Sequence, residues 1–154
     1  MKIVLLYAGK TTEKYLQEGI EIYMERLKHY VNVEVIIFQP SNLPQPDRAL
    51  GEEQKTIEQK LLPGDFLVVL DENGKEVTSR QLADSIRKWM VQGKSRIVFI
   101  TGGAYGLARS LKSKANLILS FSKLTFTHQM IRLLLVEQIY RSMTILKNEK
   151  YHHD

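Results

Sequence analysis

The sequence predicts an α/β fold in which a mainly parallel sheet has helices on both faces. Short apolar runs, typical of buried strands, alternate along the chain with segments whose apolar residues recur at helical spacing. Residues 66–70 are apolar without interruption, as expected for a strand in the middle of a parallel sheet. The 154 residues suffice for one full core, so we expect a single domain over residues 1–154.

The first half of the chain predicts two strands and two helices. Residues 2–7 are apolar after Lys2, and residues 33–38 are rich in β-branched side chains, so both segments predict strands. A long helix is predicted between them from the spacing of Tyr15, Leu16, Ile20, Tyr23, Met24 and Leu27. Residues 40–46 contain three prolines and predict a loop. The following helix, ending at Pro63 and Gly64, is predicted from Leu50, Ile57, Leu61 and Leu62.

A third helix is predicted to begin at Thr78. Gln81 follows Thr78 at the spacing of a capping box. One face of this helix is apolar through Leu82, Ala83, Ile86, Trp89 and Met90. Gly93 is expected to end it, and residues 97–100 predict the next buried strand.

The segment after His128 predicts a helix that is apolar on more than one side. Its apolar residues are Met130, Ile131, Leu133, Leu134, Leu135, Val136, Ile139, Tyr140, Met143, Ile145 and Leu146. Such a helix has to bury two faces. We expect one face to pack on its own sheet and the other on a partner subunit.

Composition excludes several classes of protein. No apolar stretch is long enough to span a membrane, and the apolar run at residues 1–7 is too short for a signal peptide. The chain has no cysteine, which excludes disulfides and thiolate metal sites and is consistent with a cytoplasmic protein.

Positive charge gathers in the last third of the chain. The net charge is +5, and from residue 107 onward only Glu137, Glu149 and Asp154 oppose the basic residues. Those basic residues are Arg109, Lys112, Lys114, Lys123, Arg132, Arg141, Lys147 and Lys150. This distribution suits a surface that faces RNA. The alternative is a solvated helix face with a basic tail.

A glycine turn follows the predicted strand at residues 97–100. Residues 101–106 read Thr-Gly-Gly-Ala-Tyr-Gly, which fits either a ligand loop or a tight structural turn. Three observations argue against a dinucleotide site: the glycine spacing differs from G-x-G-x-x-G, the motif lies late in the chain, and residues 117–126 contain no acidic residue.

A second segment alternates polar and apolar residues. Ser122, Thr125 and Thr127 lie among Phe121, Leu124 and Phe126. The alternation fits a half-buried strand, or equally a segment that wraps an adenine between apolar groups.

Three of the four histidines lie at the start of the last helix (His128) and near the end of the sequence (His152 and His153, after Tyr151). No carboxylate or cysteine pattern accompanies them, so we expect no metal. The sequence also lacks a G-x-S-x-G nucleophile turn, which argues against hydrolase chemistry.

Several segments together resemble the ribosomal large subunit methyltransferase H family, within the SPOUT superfamily of knotted methyltransferases. The matching segments, in the same order and spacing, are residues 2–9, 70–75, 101–106, 124–128, 137–141 and 151–152. The resemblance implies a C-terminal trefoil knot, an obligate homodimer and S-adenosylmethionine as methyl donor. It also implies ribosomal RNA as substrate, with methylation at N3 of a pseudouridine in a 23S hairpin at the subunit interface.

The resemblance also implies roles for individual residues. The family's cofactor contacts carry over to Leu70, Gly102, Phe121, Ser122, Lys123, Leu124, Thr125 and Phe126. The chain departs from the family in Thr101, where an aliphatic residue is more common, and in Tyr105, where an acidic one is. It also ends in Tyr-His-His-Asp, where many members end in Tyr-His-Arg.

Chemistry points to candidate catalytic residues. An imide-type N3 must lose its proton before it becomes a good nucleophile, so a base should lie nearby. His128, Tyr151 and His152 are the candidates, and Arg141 could pair with phosphate, stabilise developing charge, or only bridge subunits. Among these candidates we favour a tail residue as the base, because a tail can close over a bound base, and we expect Tyr151 and His152 to fold back over the cofactor pocket.

Two alternative functions remain open at this point. One is a SPOUT methyltransferase that acts on transfer RNA. The other is a ribosome-binding factor that keeps the fold without catalysis, which bulky charged residues at Gly102 and Ser122 would favour. Neither position holds such a residue.

Overall fold

A computed structural model describes residues 1–153 as five strands and five helices. In chain order they are β1 (Lys2–Ala8), α1 (Lys14–Leu27), β2 (Asn32–Phe38), α2 (Pro46–Glu58), β3 (Phe66–Glu76), α3 (Ser79–Val91), β4 (Arg96–Thr101), α4 (Arg109–Ser113), β5 (Leu117–Ser120) and α5 (Met130–Leu146). Asp154, part of the unusual ending, lies outside the described residues.

The sheet is parallel throughout, with the strand order β2-β1-β4-β3-β5. The strand order reverses between β1 and β4, where Tyr7 lies opposite Thr101. In open α/β sheets, ligands bind beyond the carboxyl ends of the strands near such a reversal. The predicted fold class is confirmed, while the trefoil knot stays a prediction.

Successive side chains of β1 enter two separate cores, one on each face of the sheet. Ile3, Leu5 and Tyr7 pack with α1, α3 and α5, whereas Val4 and Leu6 pack on the other face with α2 and α4. Both sets are buried, which explains why the strand is apolar at every position after Lys2. The sheet therefore lies in the middle of three layers.

Helix boundaries follow the predicted signals with one difference. Thr78 and Gln81 form the predicted capping box at α3, and Gly93 follows that helix with a φ of 71°. The second helix ends at Glu58, earlier than predicted, and Leu62 is 58% exposed in the turn that follows. The apolar spacing at Leu61 and Leu62 therefore does not extend the helix.

The third strand continues beyond the predicted segment. After Leu70 its register against β5 shifts, and pairing resumes at Lys75 and Glu76. Gly74 lies against the backbone of β5, since a Cβ atom there would approach the carbonyl of Ile118 to 2.8 Å. Only glycine allows this close approach. The irregular residues between the two paired stretches project toward the carboxyl end of the sheet.

The last helix buries one face as predicted. Leu135, Val136, Ile139 and Met143 are buried against the sheet and its other helices. Outside this core, α5 has further apolar residues that are only half-buried: Met130, Ile131, Leu133, Leu134 and Ile145. Packing of these residues on a partner subunit stays a prediction. Among the described residues, no helix combines the length and apolar character needed to cross a membrane.

Candidate functional site

A cavity of about 360 Å³ opens at the carboxyl ends of β3, β4 and β5. Three segments line it: residues 70–73 in the irregular part of β3, residues 101–106 from the last residue of β4 onward, and residues 119–128 from the end of β5 onward. Within the third segment, Ser120, Lys123 and Thr127 are not lining residues. Lys112 of α4 and Ile131 of α5 complete the lining. The volume lies in the range of small-molecule sites in proteins.

The glycine turn forms one wall of the cavity. Gly103 and Gly106 pair across it, with the Gly106 amide donating to the Gly103 carbonyl at 3.1 Å, and Gly106 has a φ of 75°. A Cβ atom on Gly102 would overlap the carbonyl of Gly106. The turn therefore needs glycine for its own closure, whatever it binds.

The wall formed by residues 121–126 is a loop held by its own short side chains. The Ser120 hydroxyl donates to the carbonyl of Ser122 at 2.9 Å, and the Ser122 hydroxyl accepts from the amide of Leu124 at 2.9 Å. Thr125 Oγ1 donates to Glu72 Oε2 at 2.8 Å, which joins this loop to the end of β3. Since β5 ends at Ser120, the interpretation of this segment as a half-buried strand is wrong.

The cavity presents both apolar and polar groups to a ligand. Phe121, Leu124 and Phe126 are apolar lining residues, and Leu124 is 74% exposed. The hydroxyl of Thr101 lies buried among the described residues without a hydrogen-bond partner. A ligand with an apolar ring and polar edges fits such a lining, so the residues are compatible with the expected cofactor.

An ion pair that the sequence did not predict lies at the cavity. Lys112 Nζ lies 2.5 Å from Asp71 Oδ2, and the amide of Asn73 donates to Asp71 Oδ1 at 2.9 Å. Burial alone would raise the pKa of Asp71, but Lys112 and the Asn73 amide hold that pKa below its ordinary value. Asp71 belongs to a segment that matched the family, whereas Lys112 gave no signal beyond its charge.

His128 lines the cavity just before α5 begins. Thr127 Oγ1 accepts from the amide of Met130 at 3.0 Å and so helps to fix this helix start. Burial, followed by the positive charge of Arg132, lowers the pKa of His128. The lowered pKa favours the uncharged imidazole, the form that accepts a proton.

Half of the basic residues predicted to face RNA have other partners. Arg132 is completely buried, so its assignment to an RNA-facing surface is wrong. Lys112, Lys114 and Arg141 form ion pairs with Asp71, Glu58 and Glu137. Arg109, Lys123, Lys147 and Lys150 are exposed, as is Lys114 despite its ion pair.

The remaining catalytic candidates lie together, but not at the cavity. Tyr151 donates to Glu137 Oε1 at 3.2 Å, and its hydroxyl lies 3.1 Å from that of Tyr23. Arg141 donates to Glu137 Oε1 through Nε at 2.9 Å and through Nη2 at 2.6 Å, and its Nη1 lies 3.3 Å from His152 Nδ1.

None of these residues lines the cavity of its own chain. The expectation that Tyr151 and His152 fold over that cavity therefore does not hold within one chain. Hydrogen bonds to Glu137 and Tyr23 instead hold the tail against α5 and α1. Glu137 lay in a matching segment, but nothing in the sequence gave it this role.

Within residues 1–153 no three histidine or acidic side chains lie close enough together to hold a metal ion.

A family model described as "Predicted SPOUT methyltransferase" matches residues 1–152. Relatives named ribosomal RNA large subunit methyltransferase H are similar to the chain over essentially their whole length. The relative from Desulforamulus reducens is 46% identical, covering 99% of each chain. That from Parabacteroides distasonis is 45% identical, covering 100% of each. That from Natranaerobius thermophilus is 42% identical, covering 99% of this chain and 100% of the relative.

Two solved structures are similar in fold. A probable methyltransferase from Bordetella pertussis has a TM-score of 0.56 at 11% identity, covering 92% of this chain and 95% of that chain. A probable methylase family protein from Haemophilus influenzae has a TM-score of 0.54 at 12% identity, covering 99% of this chain and 70% of that chain. At such low identity the likeness concerns the fold alone.

Proposed function

The chain belongs to the SPOUT methyltransferases and, among them, to the ribosomal RNA large subunit methyltransferase H family, and we propose that it methylates N3 of a pseudouridine in 23S ribosomal RNA with S-adenosylmethionine as donor. One observation supports the proposal above all others. Three segments that matched the family in sequence, around Leu70, Gly102 and Leu124, meet around a single cavity.

The cofactor would be held by the three lining segments. Leu70, Gly102 and five residues of the 121–126 loop line the cavity, whereas Lys123 is not among the lining residues. A cofactor contact at Lys123 stays a prediction. When bound, the cofactor supplies a methyl group already activated on its sulfonium, so alignment with the acceptor nitrogen is the main task of the protein.

His128 is the base that the cavity itself offers. The acceptor nitrogen loses its proton as it gains the methyl group, and an uncharged imidazole in the lining can take that proton. Tyr151 suits this task less well, because burial and the hydrogen bond with Tyr23 raise its pKa and keep the phenol protonated. Tyr151 would instead donate hydrogen bonds.

A homodimer would explain why the candidate residues are divided between two places. Arg141, Tyr151 and His152 lie outside the cavity of their own chain, so they can serve the reaction only when a second chain brings them to it. The half-buried apolar residues of α5, among them Leu133 and Leu134, offer a surface for that contact. Ribosomal RNA as substrate also implies a cytoplasmic location.

Mass spectrometry of ribosomal RNA from cells with and without this chain tests the proposal. A 23S fragment should lose 14 mass units at one pseudouridine when the chain is deleted and regain them on complementation. Restoration should fail with His128→Ala, provided that this variant accumulates and binds the cofactor.

Two other results would replace the proposed function. Loss of a methyl group from transfer RNA, with ribosomal RNA unchanged, would indicate a transfer-RNA methyltransferase. Unchanged methylation of both RNAs, together with retention of the protein on ribosomes, would indicate a non-catalytic binding factor.

A further inference from the structure

The most unusual side chain of the protein is Arg132, in the first turn of α5. It is large, charged and 0% exposed. Its Nε donates to the carbonyl of His128 at 3.0 Å, and its Nη2 donates to the carbonyl of Ala8 at 2.5 Å. Its Nη1 donates to the carbonyl of Gly9 and to Thr11 Oγ1, each at 3.0 Å. The guanidinium thus joins the residues after β1 to the segment that carries His128.

The positive charge of Arg132 is not cancelled by its partners. They are three carbonyl groups, a hydroxyl and the ring of Tyr7, whose centre lies 4.9 Å from the guanidinium carbon. A buried charge is costly unless it is paired, and within residues 1–153 no carboxylate is among these partners. Burial of this charge costs free energy that fixing a helix start does not require, which points to a further role for Arg132.

The position of Arg132 is next to the proposed reaction site. Its neighbour Tyr7 lies opposite Thr101 at the ends of β1 and β4, where the strand order reverses. Thr101 and His128 both line the cavity, whereas Arg132 is buried and is not among the lining residues. The fixed charge is thus hydrogen-bonded to the cavity wall, through the carbonyl of His128, without reaching the cavity itself.

Other charged groups at the cavity are paired or bonded elsewhere. Asp71 and Lys112 form an ion pair, and Glu72 accepts a hydrogen bond from Thr125. Tyr105 is the remaining titratable lining residue and is 58% exposed. Of the charges around His128, that of Arg132 lowers its pKa, together with burial.

We propose that Arg132 is a positioning residue of the methyl-transfer site, which fastens the wall carrying His128 to the end of β1 and holds a positive charge directly behind it. This role rests on the proposed function. The hydrogen bonds fix the place of His128 relative to the cavity. The charge adds to the effect of burial in lowering the pKa of the imidazole and so favours the unprotonated form, which can accept the proton from the acceptor nitrogen.

The first test needs no methyl transfer and no variant of Arg132. In the cofactor-free protein, NMR should give a titration midpoint for the His128 imidazole below the value of about 6.5 for an unperturbed histidine. The signal is assigned by its loss in His128→Gln. A midpoint at or above the unperturbed value would overturn the proposal, whether or not the protein methylates ribosomal RNA.

Two variants separate the charge of Arg132 from its hydrogen bonds. Arg132→Lys keeps the charge, but one ammonium group cannot reach all four acceptors, so kcat should fall about tenfold or more while the His128 midpoint stays low. Arg132→Met removes the charge and the hydrogen bonds, so the His128 midpoint should rise. The acid limb of the pH profile of kcat should then move to higher pH by a similar amount. Arg87→Met, at a largely exposed arginine of α3 paired with Asp84, is the matched control.

A purely structural role predicts a different outcome. Both variants would then lower thermal stability and leave the His128 midpoint and the acid limb of kcat unchanged, and that result would overturn the proposal. If Arg132→Met fails to fold, the His128 midpoint of the wild-type protein and the kcat of Arg132→Lys still test the proposal. A lowered His128 midpoint in a protein that leaves ribosomal RNA unmethylated would contradict the proposed function instead.

Discussion

The hydroxyl of Tyr151 donates a hydrogen bond of 3.2 Å to the carboxylate of Glu137. Arg141, one turn further along α5, donates to the same oxygen and lies over the Tyr151 ring at 4.7 Å. The ring of Tyr140 meets that of Tyr151 edge to face at 4.8 Å. Residues after α5 are thus built into the surface of their own chain, away from its cavity.

Removal of residues 151–154 should abolish methyl transfer and leave cofactor binding intact. The cavity lining contains none of these residues, so its affinity for S-adenosylmethionine should change less than about threefold, whereas loss of Tyr151 and His152 removes groups proposed to reach the RNA. Calorimetry measures the affinity, and transfer of a radiolabelled methyl group to ribosomes measures the activity.

Tyr151→Phe is the matched control for that truncation. It keeps the ring against Tyr140 and loses only the hydroxyl, so the cost in stability should be about 1 kcal/mol. Wild-type activity in the truncated protein would contradict a role for the tail and leave His128 as the base to test.

Gly102→Ala should weaken cofactor binding by distorting the glycine turn. The new Cβ would overlap the carbonyl of Gly106, so we expect a loss of about 1–3 kcal/mol in the free energy of unfolding and at least about tenfold in affinity. At Gly103 a Cβ would lie 3.6 Å from that of Ala8, an ordinary contact. Gly103→Ala should therefore change stability by less than about 0.5 kcal/mol. Urea unfolding and calorimetry on both variants check this, and equal effects would argue against it.

The ion pair between Asp71 and Lys112 should stabilise the protein only above acidic pH. Because the folded-state pKa of Asp71 is below its ordinary value of 3.8, the contribution is present above that value and disappears as the pH falls through the folded-state pKa. Lys112→Met should cost about 1 kcal/mol or less at pH 7, and the difference from wild type should vanish once the pH lies well below the folded-state pKa.

Urea unfolding at several pH values measures the contribution of this pair. Lys114→Met is the control, since the pair of Lys114 with Glu58 is more exposed and lies outside the cavity lining. A Lys112→Met effect that persists at pH 2 would show that Lys112 acts by packing and not by charge.

Leu134→Lys should convert the proposed dimer into a monomer. Leu134 is half-buried on α5 and belongs to neither core cluster, so a charge there would be tolerated by a single chain and rejected by an apolar interface. Val91→Lys, at a residue of α3 that is 83% exposed, is the control and should leave association unchanged. Sedimentation at micromolar concentration measures both, and a monomeric wild-type protein would contradict the proposal.

Short-range sequence signals predicted those parts of the fold that depend on neighbouring residues. The capping box at Thr78 and Gln81 and the buried strand before Thr101 appear as predicted, because their signals lie within a few residues. The extension of β3 to Glu76 could not be predicted, since Asp71, Glu72 and Asn73 are polar and their conformation depends on pairing with β5.

The sequence predicted those site residues whose own segment lines the cavity, as around Gly102 and Phe121. Arg132 was misjudged, because sequence shows a charge but not its depth, and its carbonyl partners at Ala8 and Gly9 lie at the opposite end of the chain. The separation of Tyr151 from His128 was missed for the same reason, since order along the chain does not give distance in space.

The strand order has a consequence for how the protein acquires its shape. The central strand β4 lies between β1 and β3, with Lys2 opposite Arg96 and Phe66 opposite Ile97. During synthesis β1 and β2 can pair early, but the inner edge of β1 stays open until β4 leaves the ribosome. Contacts so distant in sequence form slowly, and an open apolar edge invites association with other chains. The centre of the sheet is therefore completed late, and the nascent chain is most vulnerable to aggregation before β4 arrives.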